Sequence, residues 1–410
     1  MWNGRAPMIR SALSAAISAI LLFGPLKLPG ADKAPAVLNG IDVLRQRNFD
    51  LLSGKRVGLV TNHTGFAADG TSTIDLFFKA KAFRLVALFS PEHGIRGMSD
   101  EKVSSSVDEA TGLPVYSLYG KSLRPTPDML KDLDILVFDV QDVGARFYTY
   151  ITTMAYCMEE AAKADIPFIV LDRPNPIGGV RVEGPMLDAD KTSFTGYMPL
   201  PVRHGMTVGE LARYFNTENR IGARLQVVPM QGWRRSFYFW DTGQIWANLS
   251  PNMRSILAAL LYPGVCLLER TNISVGRGTD RPFEIIGAPW IEPRRFVQAL
   301  KSARVPGIQY SPVYFTPDAS KYKGVRCGGA GLLITDSDRL NSVLLGMTLA
   351  SVLNKLYPEQ FKIDNIIELL GNESATKMLK AGQSPVKVLR SDSSNLRKFL
   401  ARRQKALIYD

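Results

Sequence analysis

Three histidines and three cysteines are all that this 410-residue chain has of the side chains best suited to hold a transition metal. Cys157, Cys266 and Cys327 are far apart and odd in number, and no C-x-x-C pair exists, which argues against a zinc ribbon. Cys157 and Cys266 sit in apolar runs and are expected to be buried and reduced, although an oxidising compartment leaves room for one disulfide. The glycine fingerprints of nucleotide binders are also missing. TNHTGF stands where G-x-G-x-x-G would follow a first strand, and there is no P-loop and no G-x-S-x-G nucleophile elbow. Dinucleotide binding and α/β-hydrolase chemistry are thereby disfavoured. Neither heptads nor internal repeats occur, so coiled coils and solenoids are set aside.

What is present describes a globular chain, with 46% hydrophobic and 21% charged residues. Residues 1–34 read as a signal peptide or N-terminal anchor. Arg5 and Arg10 precede the apolar run SALSAAISAILLF (residues 11–23), which is short for a membrane span but typical of an export signal. No cysteine lies near it, so lipid attachment is unsupported. The protein is expected to be exported, to the periplasm or beyond, with membrane contact only through an uncleaved N-terminal segment. A formal charge of +12 suits anionic cell-wall or membrane surfaces, or simply a solvated basic surface. Export and the absence of any recognised motif argue against a nucleic-acid partner.

From Arg56 to Asp172 apolar runs alternate with amphipathic segments. RVGLVTN, RLVALFS, ILVFDV and FIVLD read as buried parallel strands, and STIDLFFKAKA and YITTMAYCMEEAAKA as helices between them. The fold class is α/β, a Rossmann-like, doubly wound, mostly parallel sheet over residues 35–288. A smaller α+β auxiliary domain is expected over residues 289–410. Thr207 and Glu210 form a capping box that starts a further helix, while LQVVPM and GVCLLE read as two more strands.

Such sheets bind ligands at the carboxyl ends of their strands. Asn62 and His63 follow the first run, and Glu92, His93 and Arg96 the second. Asp139, Asp142 and Arg146 follow the third, and Asp172 and Asn175 the fourth. His204 lies just before the capped helix, and Tyr148 in RFYTY offers an aromatic face of the kind that sugars stack on. Two chemistries fit these groups. Metal-assisted hydrolysis would use His63, His93, His204 and Asp139 or Asp142, but no H-x-H or H-E-x-x-H spacing accompanies them. Glycoside hydrolysis would use Glu92 as proton donor at the sheet edge, with Asp139 and Asp142 as candidates for the second role.

TNHTG, SPEHGIRG, FDVQDVGARFYTY, LDRPNPIGG, VEGPMLD, SPNM, LYPGVCLLERTNISVGRGTDRPFEIIGAPW and SKYKGVRCGG occur in that order. From about Leu38 to the C-terminus the chain resembles the bacterial exo-β-N-acetylmuramidases of glycoside hydrolase family 171, long catalogued as a domain of unknown function. The resemblance implies a Rossmann-like catalytic domain, an auxiliary domain and a cleft between them. It also implies release of terminal N-acetylmuramic acid (MurNAc) from the non-reducing end of peptidoglycan fragments, in cell-wall turnover and recycling. No cofactor is implied, and the partners are MurNAc-terminated saccharides or muropeptides. Glu92 carries the family's catalytic-acid role, and the second group stays open, the substrate's own acetamido group included. The sugar's lactyl carboxylate would be met by Arg96, Arg146, Arg277, Arg281 or the helix start after His204. Asn62, His63, Asp172 and Asn175 would bind hydroxyls or the acetamido group, and His93 would orient the acid or the substrate. The competing readings are a metal-dependent deacetylase or amidase and a non-catalytic muropeptide-binding protein.

Overall fold

Seven strands form the central sheet of this computed structural model, which describes residues 37–95 and 105–410. The segment read as a signal peptide or anchor, residues 1–34, and Arg96 lie outside the described residues. The strands are β1 (Arg56–Thr61), β2 (Arg84–Ser90), β3 (Ser106–Val107), β4 (Pro114–Ser117), β5 (Ile135–Asp139), β6 (Phe168–Leu171) and, after two intervening strands, β9 (Leu225–Val228). Their order is β3-β4-β2-β1-β5-β6-β9, parallel except for the edge pair β3–β4. The order of winding switches at β1, which pairs with β2 on one side and β5 on the other.

The strands are apolar on both faces, as a sheet covered on both sides requires. Leu59, Val137 and Ile169 pack with Ile41 of α1 (Gly40–Gln46) and Phe77 of α2 (Thr73–Lys79). The alternate residues Val60, Phe138 and Val170 face the other way. After the short α3 (Pro127–Leu130), α4 (Tyr150–Lys163) and α5 (Val208–Glu218) cover that second face, bringing Met154, Met158 and Leu211. The expected capping box starts α5: Thr207 Oγ1 accepts from Glu210 N at 3.2 Å, and Thr207 N donates to Glu210 Oε2 at 3.0 Å.

The second face continues without a break into the C-terminal half, whose core residues belong to the same cluster. An antiparallel pair, β7 (Glu183–Met186) and β8 (Pro201–Arg203), precedes β9. A three-stranded antiparallel sheet follows, β10 (Ile285–Ala288), β11 (Ile308–Phe315) and β12 (Cys327–Ile334), with β12 central. Helix α7 (Pro293–Ala303) packs on β11 and β12, α8 (Ser342–Leu356) packs on α7 and on the earlier α6 (Ile256–Val265), and α9 (Ile367–Leu370), α10 (Glu373–Lys380), α11 (Pro385–Ser391) and α12 (Ser393–Arg403) complete the chain.

GVCLLE is not the strand expected of it. It closes α6 and continues as a 3-10 turn over Cys266–Leu268. A helix buried all round is apolar all round, so its sequence has the same unbroken look as a buried strand. Gly264 is there for packing, since a Cβ on it would stand 1.7 Å from the Ser342 carbonyl oxygen at the start of α8. Cys157, Cys266 and Cys327 are buried free thiols. No helix among the described residues is long and apolar enough to cross a membrane.

Candidate active site

Beyond β2, Pro91 leads into Glu92 and His93, and the turn is closed by a 3.2 Å bond from Gly94 N to Pro91 O. His93 and Gly94 both take left-handed backbone, at φ 71° and 76°. For a histidine that conformation is uncommon and costs energy, and such strain tends to gather where function holds a side chain in place. It brings Glu92 and His93 to the wall of a cavity of about 620 Å³, a size suited to a small saccharide.

The opposite rim comes from the C-terminal half, through Tyr262, Glu269, Arg277, Phe283 and Asp318. Phe147, Tyr148 and Thr149, which lead into α4, complete the wall beside Glu92. The rings interlock edge to face, Tyr148 with Tyr262 at 5.7 Å and Tyr262 with Phe283 at 4.8 Å. The result is a rigid apolar surface set with polar tips, the usual make-up of a sugar site.

Glu92 is half-buried, and its Oε2 accepts a 2.5 Å hydrogen bond from Thr149 Oγ1. Donation to one carboxyl oxygen leaves the other to carry the proton that a general acid delivers. The Tyr148 hydroxyl is buried beside the side chains of Ser250 and Tyr150, without a hydrogen bond of ordinary geometry to either. Burial first, and the nearby charge of Asp142 after it, raise the pKa of this phenol, so it acts as a neutral donor. Tyr150 OH donates to Leu249 O at 2.8 Å, so the start of α4 also anchors the segment at 249–254 that forms part of the rim.

Of the residues singled out in the sequence, Glu92, His93, Tyr148 and Arg277 come together at this cavity. Arg277 enters it already paired, its Nε 2.9 Å from Glu269 Oε1. The others are placed elsewhere. Asp139 is fully buried and bonded to Arg173 Nε at 2.6 Å and Nη2 at 2.9 Å, with Thr73 Oγ1 donating as well. No face of that carboxylate is left for a substrate, so its role is structural. Arg146 is buried too, and its guanidinium donates to the carbonyls of Leu200, Leu369 and Leu370, which ties the sheet to α9.

Asp172 accepts from Arg173 N, Gly209 N, Thr207 Oγ1 and Tyr409 OH, joining β6 to α5 and the C-terminal tail. Asn175 is engaged with Ile177 N and Met206 O. Asn62 accepts from Thr64 through both the backbone and the side chain. His63 Nε2 lies 2.5 Å from Asn248 O, and burial above all, with the charge of His93 after it, lowers its pKa. His204 Nδ1 accepts from Met206 N, which puts the proton on Nε2, 3.8 Å from Asp142 Oδ2. Asp142 keeps one buried oxygen, Oδ1, without a partner, beneath the tyrosines that it influences. Arg281 pairs at the surface with Glu284, 3.9 Å away. No cluster of three potential metal-ligating side chains occurs among the described residues.

Sequence reasoning passed over Thr149, Arg254 and Glu269, although each lies in one of the family-like motifs or directly after one. Thr149 precedes a helix, where threonine is an ordinary capping residue, so its bond to a carboxyl group left no separate trace in the sequence.

Two family descriptions match the chain in series. One is exo-beta-N-acetylmuramidase NamZ, N-terminal, over residues 57–257, and the other is its C-terminal counterpart over residues 260–409. The chain is 43% identical to the peptidoglycan beta-N-acetylmuramidase NamZ of Bacillus subtilis (strain 168), covering 98% of this chain and 100% of that relative. Two crystal structures of DUF1343 family proteins from Bacteroides fragilis are similar throughout. One has a TM-score of 0.85 at 36% identity and covers 92% of this chain and 99% of its own. The other has a TM-score of 0.76 at 30% identity, covering 91% and 99%.

Proposed function

The chain belongs to the exo-beta-N-acetylmuramidase NamZ family of glycoside hydrolases, and on that premise we propose that its cavity removes terminal β-linked MurNAc from the non-reducing end of peptidoglycan fragments. The observation that carries the assignment to this cavity is Glu92, held by Thr149 on a rigid strand end and facing an aromatic wall. Glu92 acts as the general acid, giving its proton to the glycosidic oxygen as the bond to C1 breaks. Charge builds on the sugar ring beside Tyr148 as the aglycone leaves with that proton, and a water molecule adds to C1 and gives up a proton, which completes hydrolysis to free MurNAc. Asp142 stands behind the tyrosines as the acid that supports this wall, with His204 facing it. Asp139, locked to Arg173, is assigned to stability.

The biological setting proposed is peptidoglycan turnover and recycling outside the inner membrane, supported by the arginines and apolar run at residues 5–23. Purified protein incubated with 4-nitrophenyl β-MurNAc tests the activity. Release of nitrophenol above the buffer rate is the expected result, and turnover that vanishes with a chelator would point to a metal-dependent hydrolase instead.

A further inference from the structure

Three arginines line the cavity that holds Glu92, namely Arg254, Arg270 and Arg277. Two already have acids. Arg277 Nε lies 2.9 Å from Glu269, and Arg270 Nε lies 3.8 Å from Glu368. Arg254 has no carboxylate partner among the described residues. Its Nε donates to Pro251 O at 2.8 Å and its Nη1 reaches Thr279 O at 3.4 Å. Those carbonyls steer the side chain without neutralising it, and Nη2 makes no hydrogen bond among the described residues. The guanidinium is thus a cation held in one orientation at the rim, with donor positions left over.

Its place relative to Glu92 is set by two bonds. Thr149 Oγ1 holds the Glu92 carboxyl, and Tyr150 OH, one residue on, holds Leu249 O at 2.8 Å. From Leu249 the chain makes a turn, closed by Met253 N on Ser250 O at 3.0 Å, and reaches Arg254. The acid and the unpaired arginine are therefore tied to the same helix start.

We infer that Arg254 binds the lactyl carboxylate of the terminal sugar and so sets the preference for MurNAc over N-acetylglucosamine. The inference rests on the exo-muramidase reading above. The two sugars differ only by the lactyl ether, so a cation placed for its carboxylate is the simplest device that separates them. A guanidinium meets a carboxylate with paired N–H donors, an interaction stronger than a neutral hydrogen bond. N-acetylglucosamine leaves Arg254 hydrated at the rim, without a buried unpaired charge. Discrimination then comes from an ion pair that MurNAc alone can form.

The test is steady-state hydrolysis of 4-nitrophenyl β-MurNAc, with free MurNAc and free N-acetylglucosamine as competitive inhibitors, for wild type, Arg254→Met and Arg254→Lys. Arg254 is exposed, so neither substitution disturbs the core. Arg254→Met is expected to raise KM and the MurNAc inhibition constant by about 10- to 100-fold, the range for a hydrogen bond to a charged group. The constant for N-acetylglucosamine is expected to move far less, and Arg254→Lys to recover part of the loss. A MurNAc to N-acetylglucosamine ratio unchanged in Arg254→Met, in an enzyme whose wild type turns over, overturns this inference alone. A wild type that releases no nitrophenol overturns the exo-muramidase reading together with it.

Discussion

Thr149 Oγ1 donates a 2.5 Å hydrogen bond to Oε2 of Glu92, coupling the carboxyl beyond β2 to the residue just before α4. The bond fixes the rotamer of the acid and decides which of its oxygens is left to hold the proton. Thr149→Val removes the donor while keeping the shape. It is expected to lower kcat on a chromogenic β-muramide by about tenfold or more, with KM nearly unchanged and with Thr149→Ser restoring most of the rate. Equal kcat values for Thr149→Val and wild type would show that Glu92 needs no such support.

Asp139 and Arg173 form an ion pair with side-chain exposures of 0% and 2%. Removing one charge leaves the other buried and unpaired, a loss of about 3–5 kcal/mol. Asp139→Asn should therefore shift the denaturant midpoint strongly downward, while the protein that remains folded turns over at close to the wild-type rate. A stable Asp139→Asn protein with abolished turnover would return Asp139 to the chemistry.

Asp172 introduces a pH dependence of stability. Burial above all raises its pKa from 3.8 to about 7, against the opposing hydrogen bonds from Tyr409, Gly209 and Thr207. The unfolded chain gives up this proton near pH 4 and the folded chain only near pH 7. Between those values the unfolded state binds fewer protons, so stability falls as pH rises, then levels off above pH 7. Every tenfold difference in proton affinity between the two states is worth about 1.4 kcal/mol. Urea unfolding between pH 4 and pH 8 should show this decline in wild type and a flatter profile in Asp172→Asn. Parallel profiles would remove Asp172 as its source.

The crossing of α6 and α8 depends on Gly264, whose added Cβ would lie 1.7 Å from Ser342 O and 2.7 Å from the Ser342 carbonyl carbon. Backbone cannot yield as a flexible side chain can, so Gly264→Ala should destabilise the protein by about 3 kcal/mol, at the upper end for overpacking. Thermal unfolding followed by circular dichroism measures this. An unchanged midpoint would mean that the helices separate at little cost.

The sequence was most informative where one physical constraint acted alone. Buried parallel strands must be apolar on both faces, and RVGLVTN, RLVALFS, ILVFDV and FIVLD all became strands of the central sheet. GVCLLE obeyed the same rule for another reason, as the end of a buried helix, and composition could not tell the two apart. In the site, Glu92, Tyr148 and Arg277 were legible because their loops leave toward the cavity. Asp139, Asp172, Asn175 and His204 occupy equally polar loops, yet their side chains turn inward to Arg173, Tyr409, Met206 and Asp142. A strand end marks where polar groups gather, and only the rotamer says whether they face a ligand or one another. Arg254 went unnoticed because its significance lies in the acids taken by its two neighbours.

The role of Glu92 as the acid that releases MurNAc can be read directly from the products. Its most direct test is incubation of wild type and Glu92→Gln with a MurNAc-GlcNAc disaccharide, followed by NMR of the products, with circular dichroism to verify that both are folded. Free MurNAc and N-acetylglucosamine are expected from wild type and none above background from a folded Glu92→Gln. Release of MurNAc by Glu92→Gln at the wild-type rate would contradict that role.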